Sequence, residues 1–119
     1  MLYPIKEQAR SLCRKSEHPA FHHGAIVFNK GKPIGQGWNG TQTNGRLYQK
    51  YGYKSTHAEC AALKNVDKAD TILVVRIRRE DNELSCSKPC PKCMKFLKDK
   101  GIKKIFFSNW SGEIENMRL

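Results

Sequence analysis

The sequence predicts an α/β fold in which helices alternate with the strands of one sheet. Within residues 4–15, apolar residues recur at i, i+4, i+7 and i+8, which is the spacing of an amphipathic helix with one buried stripe. Residues 72–75 form a continuous aliphatic run, which is typical of a central strand covered on both faces. A helical pattern over residues 91–97 then separates this strand from a second apolar run at residues 102–108.

Two further segments predict hairpins. Residues 25–28 and 33–38 flank a turn-forming stretch, residues 29–32, and together they predict a β-hairpin. Near the C-terminus, residues 109–112 are the only link between the strand at residues 102–108 and the last segment. Four turn-like residues are too few for a crossover helix, so a final strand must pair antiparallel to its predecessor.

A long polar segment, residues 39–55, precedes a helix that we predict from about residue 57 to residue 64. Either Ser55 or Thr56 is a plausible N-cap for that helix. Loops of this length are usually functional or disordered, and this one predicts a wall or lid of a site. Its aromatic residues Tyr48, Tyr51 and Tyr53 either stack on a base or pack onto the body of the domain.

Length and composition predict a single domain over residues 1–119, with a core that needs no disulfide bonds. No apolar run approaches the roughly 18 residues of a membrane-spanning helix, and residues 1–10 lack the apolar core of a signal peptide. Five cysteines, an odd number with two in C-x-x-C, fit a reducing compartment and metal binding. We therefore expect a cytoplasmic protein without membrane contacts.

The chain is strongly basic. Twenty-two Lys and Arg residues against eleven Asp and Glu residues give a net charge of +11, which favours anionic partners such as phosphates or nucleic acid. Alternatively, much of this charge lies on a solvated helix face and on the loop that follows it. The residues concerned are Lys92, Lys95, Lys98, Lys100, Lys103 and Lys104.

Two short motifs, about thirty residues apart, carry the residue types of a metal site. His57, Cys90 and Cys93 supply three ligands of the kind that zinc selects. Glu59 follows the histidine by two residues, so its carboxylate can move protons beside the metal. Residues at i and i+2 diverge around a helix, and His57 and Glu59 can therefore share one metal centre only near the helix end.

The remaining cysteines and histidines fit roles outside this metal group. Cys86 is a rival ligand, because it could form a three-cysteine set with the C-x-x-C pair, but that set would leave the histidine and the acid without a role. We predict that Cys13 and Cys60 are small core residues. His22 and His23 precede the first strand, and we expect them at the surface or in a supporting role near the site.

The spacing H-x-E followed by P-C-x-x-C is the signature of zinc-dependent base deaminases. The chain resembles the cytidine/deoxycytidylate deaminase-like family nearly from end to end, through the ordered segments His23-Gly24-Ala25, Gly37-Trp38-Asn39-Gly40, His57-Ala58-Glu59, Pro89-Cys90-Pro91-Lys92-Cys93 and Gly101-Ile102-Lys103-Lys104-Ile105. The resemblance implies a three-layer α/β/α fold with a mixed five-stranded sheet. It also implies one zinc ion per chain, held by His57, Cys90 and Cys93.

The resemblance also implies roles for other residues. Glu59 shuttles the proton, and the asparagine corresponding to Asn39 commonly holds the sugar. The backbone N–H groups near Ala58 and Cys90, at two helix starts, can serve base oxygens or a phosphate. Relatives usually assemble, so a homo-oligomer is expected.

The resemblance leaves the substrate open. The short C-terminal turn resembles the branch of the family that acts on free cytidine, whereas the Cys90-Pro91-Lys92-Cys93 segment resembles the deoxycytidylate and transfer-RNA branches. Our leading hypothesis is hydrolytic deamination of a free cytosine nucleoside or nucleotide. The alternatives are a deaminase of cytosine or adenine within RNA or single-stranded DNA, and a zinc-binding module without catalysis.

Overall fold

Helices and strands follow one another in the order that the sequence predicts. The structure is a computed structural model and describes residues 2–18, 21–40, 46, 49–50 and 57–119. Its elements are α1 (Leu2–Cys13), β1 (His22–Asn29), β2 (Lys32–Trp38), α2 (Ala58–Ala62), β3 (Thr71–Ile77), β4 (Leu84–Ser85), α3 (Pro91–Asp99), β5 (Lys104–Ser108) and β6 (Ile114–Arg118).

The strands form one mixed sheet in the order β2-β1-β3-β5-β6, with β4 paired to β3 outside this path. The pair β3 and β5 is parallel, and the other neighbouring pairs are antiparallel. The predicted mixed sheet is confirmed, and the sixth strand, β4, is an addition. It contains only two residues, which pair with Arg76 and Ile77, and so few residues carry no periodic pattern.

Helices cover both faces of the sheet. One core cluster lies under α1 and includes Ile26, Leu73 and Val75. A second cluster lies under α2 and α3 and includes Ile72 and Val74. Successive residues of β3 therefore enter opposite cores, which explains why this strand is apolar without alternation.

The last two strands form the predicted antiparallel hairpin, with Lys104 opposite Arg118 and Ser108 opposite Ile114. The turn is closed by Asn109, whose side-chain oxygen accepts hydrogen bonds from the backbone N–H groups of Ser111 and Glu113, both at 2.9 Å. This short turn leaves no crossover helix in the last connection.

The first helix ends two residues earlier than predicted. Residues 14–16 continue as tight turns in which each backbone N–H bonds the carbonyl three residues before it. Cys13 is fully buried, as predicted, and burial raises the pKa of its thiol to about 12. No helix of the described segments is long and apolar enough to cross a membrane. The predicted tyrosine loop with Tyr48, Tyr51 and Tyr53, and the N-cap at Ser55 or Thr56, lie outside the described residues.

Candidate active site

The first half of the site is the start of α2. His57 occupies the N-cap position with an extended backbone (φ −90°, ψ 151°), and the helix begins at Ala58. The chain therefore turns into the helix between His57 and Glu59. This geometry relieves the divergence of i and i+2 side chains that a regular helix imposes.

Two glycines of β2 set how closely α2 approaches the sheet. A Cβ atom on Gly37 would lie 2.5 Å from the backbone nitrogen of Ala62, and one on Gly35 would lie 2.5 Å from the Ala62 carbonyl oxygen. Real Cβ contacts are essentially never this short, so the backbone of α2 packs directly on the strand only because both residues are glycine. The five-residue helix is thereby fixed above β2.

The second half of the site is the start of α3. Cys90 is the N-cap residue, Pro91 is the first helical residue, and Cys93 follows one turn later. The pKa of the Cys90 thiol is lowered to about 5, chiefly by its hydrogen bond with the Cys93 thiol and further by backbone N–H groups at the helix start. Cys90 is therefore poised as a thiolate, which is the metal-binding form.

The two halves bring three donor residues together. The donor atoms of His57, Cys90 and Cys93 all lie within 4.8 Å of one another, and His57 Nδ1 is 3.2 Å from Cys93 Sγ. Burial lowers the pKa of His57, which favours the neutral imidazole that binds metals. Two sulfurs and one ring nitrogen suit Zn²⁺, and three protein ligands are typical of a catalytic rather than a structural zinc site. Cys86 is not part of this group, so the three-cysteine alternative is wrong.

Glu59 lies beside these donors and is almost completely buried, with 5% of its surface exposed. Burial raises the pKa of its carboxyl, while its own backbone N–H, the imidazole of His57 and the Cys93 thiol oppose that effect. A raised carboxyl pKa favours the protonated form, which suits a group that both accepts and donates a proton. Cys60, the next residue, packs into the core as predicted.

A buried hydroxyl pair, which no sequence pattern indicates, holds the segment that leads into Cys90. Ser87 Oγ donates to the carbonyl of Val74 at 2.7 Å and accepts a hydrogen bond from the backbone N–H of Ser108 at 2.9 Å. Ser108 Oγ donates to the carbonyl of Ser85 at 2.6 Å. These bonds tie the segment to β3 and β5. The two serines are 21 residues apart, so no local signal could have revealed the pair.

A family model described as "Cytidine and deoxycytidylate deaminase zinc-binding region" matches residues 4–109 of the chain. This match spans every element from α1 to β5, including both halves of the site. The chain belongs to this deaminase family. Family membership makes the chain a zinc-type deaminase, and among its described residues His57, Cys90 and Cys93 form a group able to bind one metal ion.

Solved structures with the same fold include other deaminases. A cytidine deaminase from Burkholderia pseudomallei has a TM-score of 0.71 and 17% identity, covering 99% of this chain and 92% of that one. A cytidine deaminase from Mycobacterium leprae has a TM-score of 0.62 and 16% identity, covering 93% and 88%. The dCMP deaminase of cyanophage S-TIM5 has a TM-score of 0.55 and 24% identity, covering 93% and 87%. At these identities the likeness establishes the fold. No curated protein sequence matches significantly.

In this deaminase, Asn39 follows β2 and is buried. Its Oδ1 accepts a hydrogen bond from the backbone N–H of His23 at 2.9 Å, and its Nδ2 donates to the carbonyl of Phe21 at 2.7 Å. The amide thus fixes the start of β1. One lone pair and one N–H remain for a further partner, so the expected sugar contact stays a prediction.

The segment that Asn39 fixes lies next to the metal-binding residues. Burial lowers the pKa of His23 to about 4, and the charges of Arg76 and His57 contribute to the same shift. His23 is therefore neutral at neutral pH and is the cross-strand neighbour of Arg76, and its predicted supporting role near the site stays a prediction. Ala58 is buried in the first turn of α2, where backbone N–H groups lack intrahelical partners, and its predicted substrate contact stays a prediction.

Proposed function

We propose that the chain catalyses hydrolytic deamination of the cytosine ring of a free nucleoside or nucleotide, which releases ammonia and leaves uracil. The observation that carries this proposal is the buried carboxyl of Glu59 beside a three-donor metal group. A structural zinc site normally has four protein ligands and needs no adjacent acid. A three-ligand site with an acid of raised pKa is suited to catalysis.

Each residue of the site has a separate role in the proposed reaction. His57, Cys90 and Cys93 would hold Zn²⁺, which when bound supplies a nucleophile at neutral pH by lowering the pKa of a coordinated water to about 7. Glu59 would take a proton from the water that adds to C4 and deliver it to ring N3, and it would then take the hydroxyl proton of the resulting C4 adduct and pass it to the leaving amine, which departs as ammonia. Its burial keeps bulk water from the carboxyl. Asn39 and the backbone of Ala58 are our candidates for contacts to the sugar and the base.

The decisive experiment measures ammonia release by zinc-loaded protein from cytidine, deoxycytidine and their monophosphates. We expect activity on at least one of these substrates. The variant Glu59→Gln should keep its zinc and fold but lose roughly 100- to 10,000-fold in rate, the usual worth of a positioned acid–base group. Stoichiometric zinc without ammonia release from any of them would refute the proposal. An unchanged rate in Glu59→Gln would show that this acid has no catalytic role.

A second candidate is deamination of a base within RNA or single-stranded DNA. The observation in its favour is the row of exposed lysines around the start of α3, next to Cys90, namely Lys88, Lys92 and Lys95. Binding to an oligonucleotide would weaken steeply with salt if these lysines contact phosphates. The absence of any gel shift at low salt would remove this candidate. Assembly into a homo-oligomer also remains a prediction, and light scattering after gel filtration would test it.

A further inference from the structure

Arg76 stands on the metal-site face of the sheet, near the end of β3. Ile72 and Val74 belong to the core under α2 and α3, so the residue two positions further along the strand projects to the same face. Arg76 is the cross-strand neighbour of His23. Its backbone N–H donates to Ser108 Oγ at 3.3 Å, which places it beside the hydroxyl pair that supports Cys90.

The guanidinium of Arg76 lies over an aromatic ring at the start of β1. Its central carbon is 5.0 Å from the centroid of the Phe21 ring, and that centroid is 6.5 Å from the centroid of His23. Phe21 is 47% exposed, so its ring borders solvent on one side, while His23 lies 6.5 Å from it between ring centroids. The cation–π contact holds the guanidinium in place without neutralising its charge.

No carboxylate of the described residues balances this charge. All eleven acidic residues of the chain lie in the described segments, and among these segments none forms an ion pair with Arg76. Its Nε is buried and has no hydrogen-bond partner in the described part of the chain. A partly buried guanidinium with an unused N–H is costly to leave without an anion.

Arg78, two residues after Arg76, differs from it in having a carboxylate partner. It is exposed and forms a bidentate pair with Asp81, with distances of 3.2 Å from Nε to Oδ1 and 2.8 Å from Nη2 to Oδ2. The sequence of residues 40–56 contains Arg46, Lys50 and Lys54 and no acidic residue. Among the described residues, the exposed arginine thus has a neutralising carboxylate, and the arginine beside the site has none.

We propose that Arg76 binds the phosphate of a nucleoside monophosphate and makes this deaminase prefer the nucleotide to the free nucleoside. This inference rests on the proposed function, because the phosphate is carried by the substrate of that site. The planar fork of a guanidinium matches phosphate oxygens bidentately. A terminal phosphate offers it three oxygens, one more than the diester of a strand, so we assign a free nucleotide.

The test measures binding without turnover. Calorimetric titrations of zinc-loaded Glu59→Gln protein with cytidine and with CMP should show CMP binding about 10- to 100-fold more tightly, the range for a charged hydrogen-bonded contact. Adding Arg76→Gln should bring the two affinities to within about threefold of each other. Adding Arg78→Gln, a matched change two residues along, should leave the CMP preference intact.

Three outcomes would overturn the inference. The first is equal affinity for cytidine and CMP when Arg76 is present. The second is an equal loss for both ligands in Arg76→Gln, because that result would mean that the arginine only supports Phe21. The third is a loss confined to a short single-stranded oligonucleotide, which would assign the contact to a polymer. If Arg76→Gln does not fold by circular dichroism, Arg76→Lys replaces it, and an undiminished CMP preference there would count against a bidentate contact.

The inference and the proposed function can fail separately. A CMP preference that depends on Arg76, in a protein that releases no ammonia, would support the binding role and refute the deamination of free substrates. Ammonia release from cytidine and CMP with the same kcat/KM in wild type and Arg76→Gln would support the deamination of free substrates and refute the binding role of Arg76. A kcat/KM that falls about 10-fold or more for CMP alone, mainly through KM, would support both.

Discussion

The two helices that start at the metal site are held in different ways. The short helix α2 lies directly on β2, where Gly35 and Gly37 allow its backbone to approach the strand. The longer helix α3 follows a segment that the hydroxyls of Ser87 and Ser108 bind to β3 and β5. One half of the site therefore depends on the absence of side chains, and the other half depends on buried hydrogen bonds.

The two helix starts also shift pKa values in opposite directions. At α2, burial dominates and raises the pKa of Glu59. At α3, hydrogen bonds from Cys93 and the backbone dominate and lower the pKa of Cys90 to about 5. Both groups are acids at the positive end of a helix, so the dipole alone cannot explain the difference. Solvent exclusion favours the protonated form of the carboxyl, and local hydrogen-bond donors favour the thiolate form of the thiol.

The largest effect should come from breaking the group that joins the two helices. Replacing a ligand, as in Cys93→Ala or His57→Ala, should weaken zinc binding by at least about 100-fold, since even residues that only support ligands are worth 10- to 100-fold. Zinc content after dialysis against a competing chelator measures this. Cys86→Ala is the matched control, because Cys86 lies near the same helix but outside the metal-binding group. Normal zinc content in His57→Ala would refute the ligand assignment.

The sequence predicted the metal-binding group because short-range motifs position its members. His57 and Glu59 are two residues apart at one helix start, and Cys90 and Cys93 are one turn apart at another, where Pro91 is the first helical residue. Helical periodicity and the apolar runs likewise predicted α1, β3 and the last hairpin, since each pattern is local. The local patterns left open only how the fold brings the two motifs together.

The supporting interactions could not be predicted, because they join distant parts of the chain. The hydroxyl pair of Ser87 and Ser108 forms only when β5 lies beside β3. The amide of Asn39 bonds the backbone sixteen and eighteen residues before it, which no local pattern reveals. Arg76 and Arg78 look alike in sequence, and only the fold distinguishes the arginine with a carboxylate partner from the one whose buried Nε has no partner among the described residues.

A methyl group between α2 and β2 should have the next largest effect. In Gly37→Ala, the new Cβ would meet Ala62 N at 2.5 Å and Ala61 at 2.7 Å, so the helix must move away from the strand. We expect a loss of about 3 kcal/mol in the free energy of unfolding, the upper range for overpacking. We also expect weaker activity, because His57 and Glu59 move with α2. Urea unfolding measures the first effect.

Gly40→Ala is the control for this steric argument. Among the described residues, nothing lies within 4 Å of a Cβ added at Gly40, which follows the same strand, so the free energy of unfolding of this variant should change by less than about 0.5 kcal/mol. Equal stability of the Gly37 and Gly40 variants would show that close contact between the α2 backbone and β2 does not fix the position of α2.

The smallest of these effects should come from the half of the site at the start of α3, where Ser87 holds the preceding segment. Ser87→Ala removes the hydroxyl that serves Val74 and Ser108, and it leaves a buried carbonyl and a buried N–H without that partner. We expect a loss of about 1–2 kcal/mol in the free energy of unfolding. Ser111→Ala, in the exposed turn between β5 and β6, should be neutral.

Zinc affinity distinguishes this half of the site from the glycine half. If Ser87 holds the segment that positions Cys90, then Ser87→Ala should also lower zinc affinity by about 10-fold, as is usual for groups that orient a ligand. Competition with a zinc-binding dye at equal fractions of folded protein measures this change. A loss of stability with unchanged zinc affinity would mean that the hydroxyl pair supports the sheet alone, and that α3 positions its two thiols without it.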